Sequence, residues 1–108
     1  MAFKSKVTPN LGTSGSPSTL TDTVSAGATA TLIGLSIANI TATNITASAK
    51  LNKSGGSSAF LVKDASILPG GALAIVGGDQ KVVLEAGDTI TAYASGSNAA
   101  DAIVSYLA

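Results

Sequence analysis

Apolar and polar residues alternate with a period of two along most of this chain, and glycine-bearing turns cut the alternation into short runs. That period belongs to strands whose successive side chains point to opposite faces of a sheet. Residues 76 to 91 show the grammar most plainly. A turn at Gly77-Gly78-Asp79 feeds an apolar run from Lys81 to Leu84, and a second at Ala86-Gly87-Asp88 feeds Thr89 to Ala94. Gly-Asp marks nine residues apart are a spacing typical of a β-sandwich or barrel. The longest run, Ala28 to Asn39, sets Ile33, Leu35 and Ile37 on one face against Gly34, Ser36 and Ala38 on the other. The small face carries no charge and suits burial under a second layer or a neighbouring subunit.

A tandem repeat follows, Asn39-Ile-Thr-Ala-Thr and then Asn44-Ile-Thr-Ala-Ser. Its odd period would send Ile40 and Ile45 to opposite sides of one continuous strand, so a turn is expected near Thr41 to Asn44. The second copy then begins a strand with Ile45, Ala47, Ala49 and Leu51 inward and Thr46, Ser48 and Lys50 outward. Further runs are Ala59 to Ala65 (Phe60 and Val62 on one face, Leu61 and Lys63 on the other), Ala72 to Val76 with Leu73 and Ile75, and Ala100 to Leu107. Leu68-Pro69-Gly70-Gly71 has the Pro-Gly order of a type II turn. With a weak strand over Ser18 to Ser25, the pattern predicts about eight short strands and no helix: an all-β, two-sheet, jelly-roll-like β-sandwich. The expected core is Leu32 or Ile33, Leu35, Ile37, Ile45, Leu51, Phe60, Val62, Leu73, Ile75, Val82, Leu84, Ile90 and Val104.

Residues 1–17 break the pattern. Pro9, Gly12, Gly15 and Pro17 punctuate a Ser/Thr-rich segment. It reads as an extended N-terminal arm outside a sandwich domain over 18–108. Such a segment orders by docking, so Phe3, Lys4, Lys6 and Val7 are candidate contacts with another chain. Met1 to Val7 has basic residues but no apolar run behind them, unlike a secretion signal.

Composition narrows the chemistry. The 108 residues make one domain, with six basic and six acidic side chains balancing to zero. A neutral surface poor in charge offers little repulsion between copies. The absence of Cys, His and Arg removes thiol chemistry and the usual general base. Scattered lysines without interleaved aromatics argue against nucleic acid, and no apolar stretch reaches membrane-spanning length. Asp64, Asp79, Glu85 and Asp88 lack an Asp-x-Asp spacing, and most sit beside turns, where Asp bonds its own backbone. No metal site, cofactor or catalytic residue is therefore expected. Sugar-binding sites want aromatic platforms, for which only Tyr93 and Tyr106 are on offer beside two Phe. Asn39-Ile-Thr41 and Asn44-Ile-Thr46 match the glycosylation pattern by chance in a Thr-rich chain.

Four segments in order, Thr31 to Asn39, Phe60 to Gly71, Val76 to Ile90 and Asp101 to Leu107, resemble small virion structural proteins of tailed bacteriophages. The resemblance implies a non-catalytic, oligomeric protein that decorates the head or forms part of the neck, collar or tail. Its partners would be copies of itself and other virion proteins, such as the major capsid or neck and tail proteins, and its place the phage particle. Head decoration is the first expectation and a neck or tail position the second. A carbohydrate-binding or adhesin module is the alternative from another class. The strand faces left free by the core add Ala38, Thr91 and Tyr93 to the candidate interface.

Overall fold

The computed structural model describes residues 2–22, 24–77 and 80–108. Those residues form an all-β sandwich of nine strands: β1 Phe3–Thr8, β2 Ser18–Thr19, β3 Ala30–Asn39, β4 Ile45–Asn52, β5 Ser58–Ile67, β6 Ala72–Val76, β7 Val82–Leu84, β8 Thr89–Ala94 and β9 Ala100–Leu107. One sheet has the order β1-β9-β3-β6, with β7 also on β3; the other runs β2-β8-β4-β5, and all pairs are antiparallel. The turn expected at Gly77-Gly78-Asp79 falls on Gly78 and Asp79, outside the described residues.

Both sheets mix large and small side chains in the core. The five-stranded sheet buries Leu32, Leu35, Ile37, Val82, Leu84 and Val104 beside Ala30, Ala100 and Ala102; the four-stranded sheet buries Ile45, Ile67 and Ile90 beside Ala47, Ala49, Ala92 and Ala94. Large side chains against small ones let two twisted sheets approach closely. The tandem repeat divides as expected: β3 ends at Asn39, β4 starts at Ile45, and a turn lies between.

Bulges decide the differences from the expected core. In β3, Leu32 pairs with Tyr106 and Gly34 with Ser105, so Ile33 is an extra residue and Leu32 takes the inward place. In β5, Val62 pairs with Ala49 and Phe60 with Lys50, which makes Leu61 extra. The parity of the strand flips there. Phe60, expected in the core, is instead 41% exposed on the outer face, its ring 4.9 Å from the Lys50 ammonium and 5.4 Å from that of Lys63. A second bulge sets Lys63 and Asp64 opposite Ser48, with Asp64 at a φ of 50°. Ser48, expected outward, is fully buried there: its Oγ accepts the Asp64 N–H at 2.8 Å and donates to the carboxylate at 3.3 Å. Leu51, Val62, Leu73 and Ile75 are half-buried against the core.

The largest correction concerns residues 1–17. They are not an arm outside the sandwich. β1 pairs with β9 without interruption from Phe3–Leu107 to Thr8–Ala102. Leu11 then enters the core completely, its N–H donating to the Ala100 carbonyl of one sheet, while the Gly12 carbonyl accepts from Ala94 of the other. Two successive residues thus tie the sheets together. The strand expected over Ser18 to Ser25 is reduced to Ser18–Thr19; Leu20 is buried, and the Thr21 hydroxyl accepts the Ile90 N–H at 3.1 Å. Thr23 lies outside the described residues.

Candidate interaction surface

Strand parity places fourteen residues on the outer face of the five-stranded sheet. They are Phe3, Ser5 and Val7 of β1; Asp101, Ile103, Ser105 and Leu107 of β9; Thr31, Gly34, Ser36 and Ala38 of β3; Ala72 and Ala74 of β6; and Val83 of β7. Thirteen of these fourteen carry no ionisable side chain. The exception, Asp101, sits at the end of the face and accepts the Asn10 N–H at 2.9 Å. Phe3 is 77% exposed, Val7 62%, Val83 55% and Ile103 49%. Phe3 stands opposite Leu107, and Val7 opposite Ile103, so the apolar side chains form cross-strand pairs along the β1–β9 ladder. Beside them, Gly34, Ser36, Ala38, Ala72 and Ala74 make a low floor. An added Cβ at Gly34 would meet Ser105 Cβ at an ordinary 3.7 Å. A ridge of large apolar groups beside a floor of small ones is a shape another surface can fill. Clustered exposed apolar residues, rather than isolated ones, mark interaction sites.

Three of the expected interface residues, Phe3, Val7 and Ala38, come together on this face. Lys4 and Lys6 lie on the other side of β1. The Lys6 ammonium pairs with the exposed Asp22 carboxylate at 2.9 Å, and Lys4 borders a cleft with Thr21, Val24, Tyr106 and Ala108. Thr91 and Tyr93 face outward from the opposite sheet, where Thr91 Oγ1 accepts from the Asn52 amide at 3.0 Å. Ile103, Leu107 and Val83 belong to the face but were missed as interface residues. Their alternation was visible, but the neighbour that joins them to Phe3 and Val7 comes from the other end of the chain.

The acidic residues resolve into structural roles. Asp88 is fully buried in the turn between β7 and β8. Its carboxylate accepts the Glu85 N–H at 2.9 Å and the Ser54 N–H at 3.1 Å and pairs with the Lys53 ammonium, which also reaches Glu85 at 3.0 Å. The hydrogen bond from Lys53, followed by that from the Glu85 N–H, holds the Asp88 carboxyl below its ordinary range; the same contact raises Lys53. Among the described residues no three acidic side chains gather to hold a metal ion, and Asp79 lies outside them. Tyr93 lines a shallow groove with Lys50, Asn52 and Phe60, whereas Tyr106 packs against the core from the other sheet. The two tyrosines share no face, while Tyr93 shares its groove with Phe60, whose ring lies near the Lys50 and Lys63 ammoniums. Asn39, the first glycosylation-like position, is buried: its amide donates to the carbonyls of Thr43 at 2.7 Å and Ile67 at 3.0 Å.

No protein-family model, curated protein or solved structure matches this chain.

Proposed function

We propose that this protein is a non-catalytic structural subunit of a tailed-phage particle, assembled through the outer face of its five-stranded sheet. The observation that supports an assembly role is that face: four large apolar side chains are about half exposed or more, on a surface whose one ionisable side chain lies at its end. Covering such a face removes apolar area from water, at roughly 25 cal/mol per Å². The placement in a virion rests on the resemblance of the four sequence segments and is the finer part of the proposal.

Within the particle, head decoration is the first placement and a neck, collar or tail position the second. Quantitative mass spectrometry of purified particles tests the reading. The chain should be present at a fixed stoichiometry, in hundreds of copies on a head or tail tube and in a dozen or fewer at a neck or tail tip. Its absence from particles made by a producing host would overturn the proposal.

A further inference from the structure

Among the described residues no backbone group pairs with the outer edge of β1, and that edge has a chemistry of its own. Ala2 and Ala108 exchange both backbone hydrogen bonds, at 2.7 and 3.0 Å. In an antiparallel ladder, bonded and non-bonded pairs alternate. The bonded pairs are therefore Lys4–Tyr106, Lys6–Val104 and Thr8–Ala102, and the N–H and C=O groups of Phe3, Ser5 and Val7 point away from β9, off the edge of the sheet. Other edges are blunted. β2 has two residues, β5 carries two bulges and a left-handed Asp64, and β6 and β7 are short pieces that share one side of β3. Short or bulged edges resist strand addition. β1 is six residues long, regular in register, and secured at its start by the Ala2–Ala108 bonds.

We infer that the free edge of β1 is a docking site for an extended segment of a different protein chain, one that alternates apolar and acidic residues. The alternation follows from the two sides of β1. An added strand would bond through its backbone to Phe3, Ser5 and Val7, placing every second side chain beside that apolar row on the outer face. The side chains between would lie beside Lys4 and Lys6. Lys4 has no ion-pair partner among the described residues, and Lys6 is paired only with an Asp22 that is 78% exposed. A second copy of β1 is a poor occupant. Antiparallel registers that overlap most of the strand set Lys4 against Lys6, Lys4 against Lys4 or Lys6 against Lys6, and like charges directly opposite are destabilising. The edge thus selects an acidic partner, a function separate from packing of the sheet face.

The test uses the full chain, isotopically labelled, and two capped heptapeptides, one alternating Val and Glu and the other Val and Lys. In the free protein, the amides of Phe3, Ser5 and Val7 should exchange with solvent rapidly while those of Lys4, Lys6 and Thr8 are protected. The Val-Glu peptide should slow exchange at Phe3, Ser5 and Val7 and bind several-fold more tightly than the Val-Lys peptide. Ser5→Pro removes an outward N–H without touching a bond to β9, so it should abolish binding while leaving the amide spectrum of the rest of the chain in place. Lys4→Glu should shift the preference toward the Val-Lys peptide. Equal binding of both peptides, binding by neither, or a free protein in which the Phe3, Ser5 and Val7 amides are already protected by a second copy would each overturn the inference. None of these outcomes depends on whether the chain is found in particles.

Discussion

Asp88 and Asn39 show how single polar side chains hold this sandwich at the places where its strands turn. Asn39 ends β3 and uses its whole hydrogen-bonding capacity: two donated bonds to the Thr43 and Ile67 carbonyls, and accepted bonds from the Thr41 N–H at 2.8 Å and Thr41 Oγ1 at 2.7 Å. Asn39→Ala leaves these groups without their partner at a buried site, which costs about 1–3 kcal/mol for each group that water cannot reach. Urea unfolding should show that loss, and Asn39→Asp should do no better, because a carboxylate cannot donate to the two carbonyls. Asp88 adds a pH dependence. Its pKa is lowered in the folded state, so its contribution is present above the unfolded value of about 4 and is lost as pH falls through the lower folded value. Lys53 is raised, so its contribution holds below about 10.4 and fades as pH climbs through the higher folded value. For this pair the stability profile is flat between those limits. Asp88→Asn should be less stable than the parent at neutral pH, with the gap narrowing below about pH 4. Thermal unfolding across pH 2–8 checks it; a constant gap would show that the charge is not what matters.

At the scale of elements, the segment that most changes the fold, residues 2–20, is the one the sequence disguises. Leu11 and Leu20 are both fully buried; Leu20 falls in the weak run 18–25, but Leu11 is a lone apolar residue among Pro, Asn, Gly and Thr, with no period to announce it. Leu11→Ala should cost about 2–5 kcal/mol, as for other fully buried leucines, and so should Leu84→Ala. Deleting residues 1–8 should lower the urea midpoint as well, because it strips the ladder that covers β9. An unchanged midpoint would mean that β1 does not dock in solution. By contrast, β6, β8 and β9 lie where alternation and turn glycines place them. Gly87 illustrates why that signal is dependable: its φ is 83°, and an added Cβ would stand 2.6 Å from Ser54 Cβ, so both conformation and space favour glycine. Bulges carry no comparable mark. One extra residue at Ile33 or Leu61 reverses the side chains beyond it until the next bulge, which is how Leu32 goes inside and Phe60 outside. The candidate surface was half legible for a related reason. Phe3, Val7 and Ala38 could be picked as free of the core, but their union with Ile103 and Leu107 depends on pairing the two ends of the chain, a long-range fact that local periodicity does not contain.

For the whole molecule, the question is what covers the outer face of the five-stranded sheet. The net charge is zero, so electrostatic repulsion between copies is weak at neutral pH. The face itself is apolar and hydroxyl-bearing, with Ser36 at the centre of its low floor between Ile103 of β9 and Ala74 of β6, and Ala38 at the end beside Asp101. We propose that copies of the chain associate through it, in a closed group such as a cyclic trimer or higher ring. Two consequences separate this from association through charge. Raising salt should not dissociate the oligomer, because screening acts on exposed charges and leaves apolar burial intact. Ser36→Lys should dissociate it, since the new ammonium would be trapped in a dry contact between Ile103 and Ala74, whereas Thr91→Lys, on the opposite sheet, should not. Sedimentation velocity at micromolar concentration reads all three outcomes directly. The same experiment distinguishes face from edge: Lys4→Glu, which alters the edge on the side of β1 away from this face, should leave the oligomer intact. A monomer at those concentrations, unchanged by either lysine, would mean that self-association is not what the face is for.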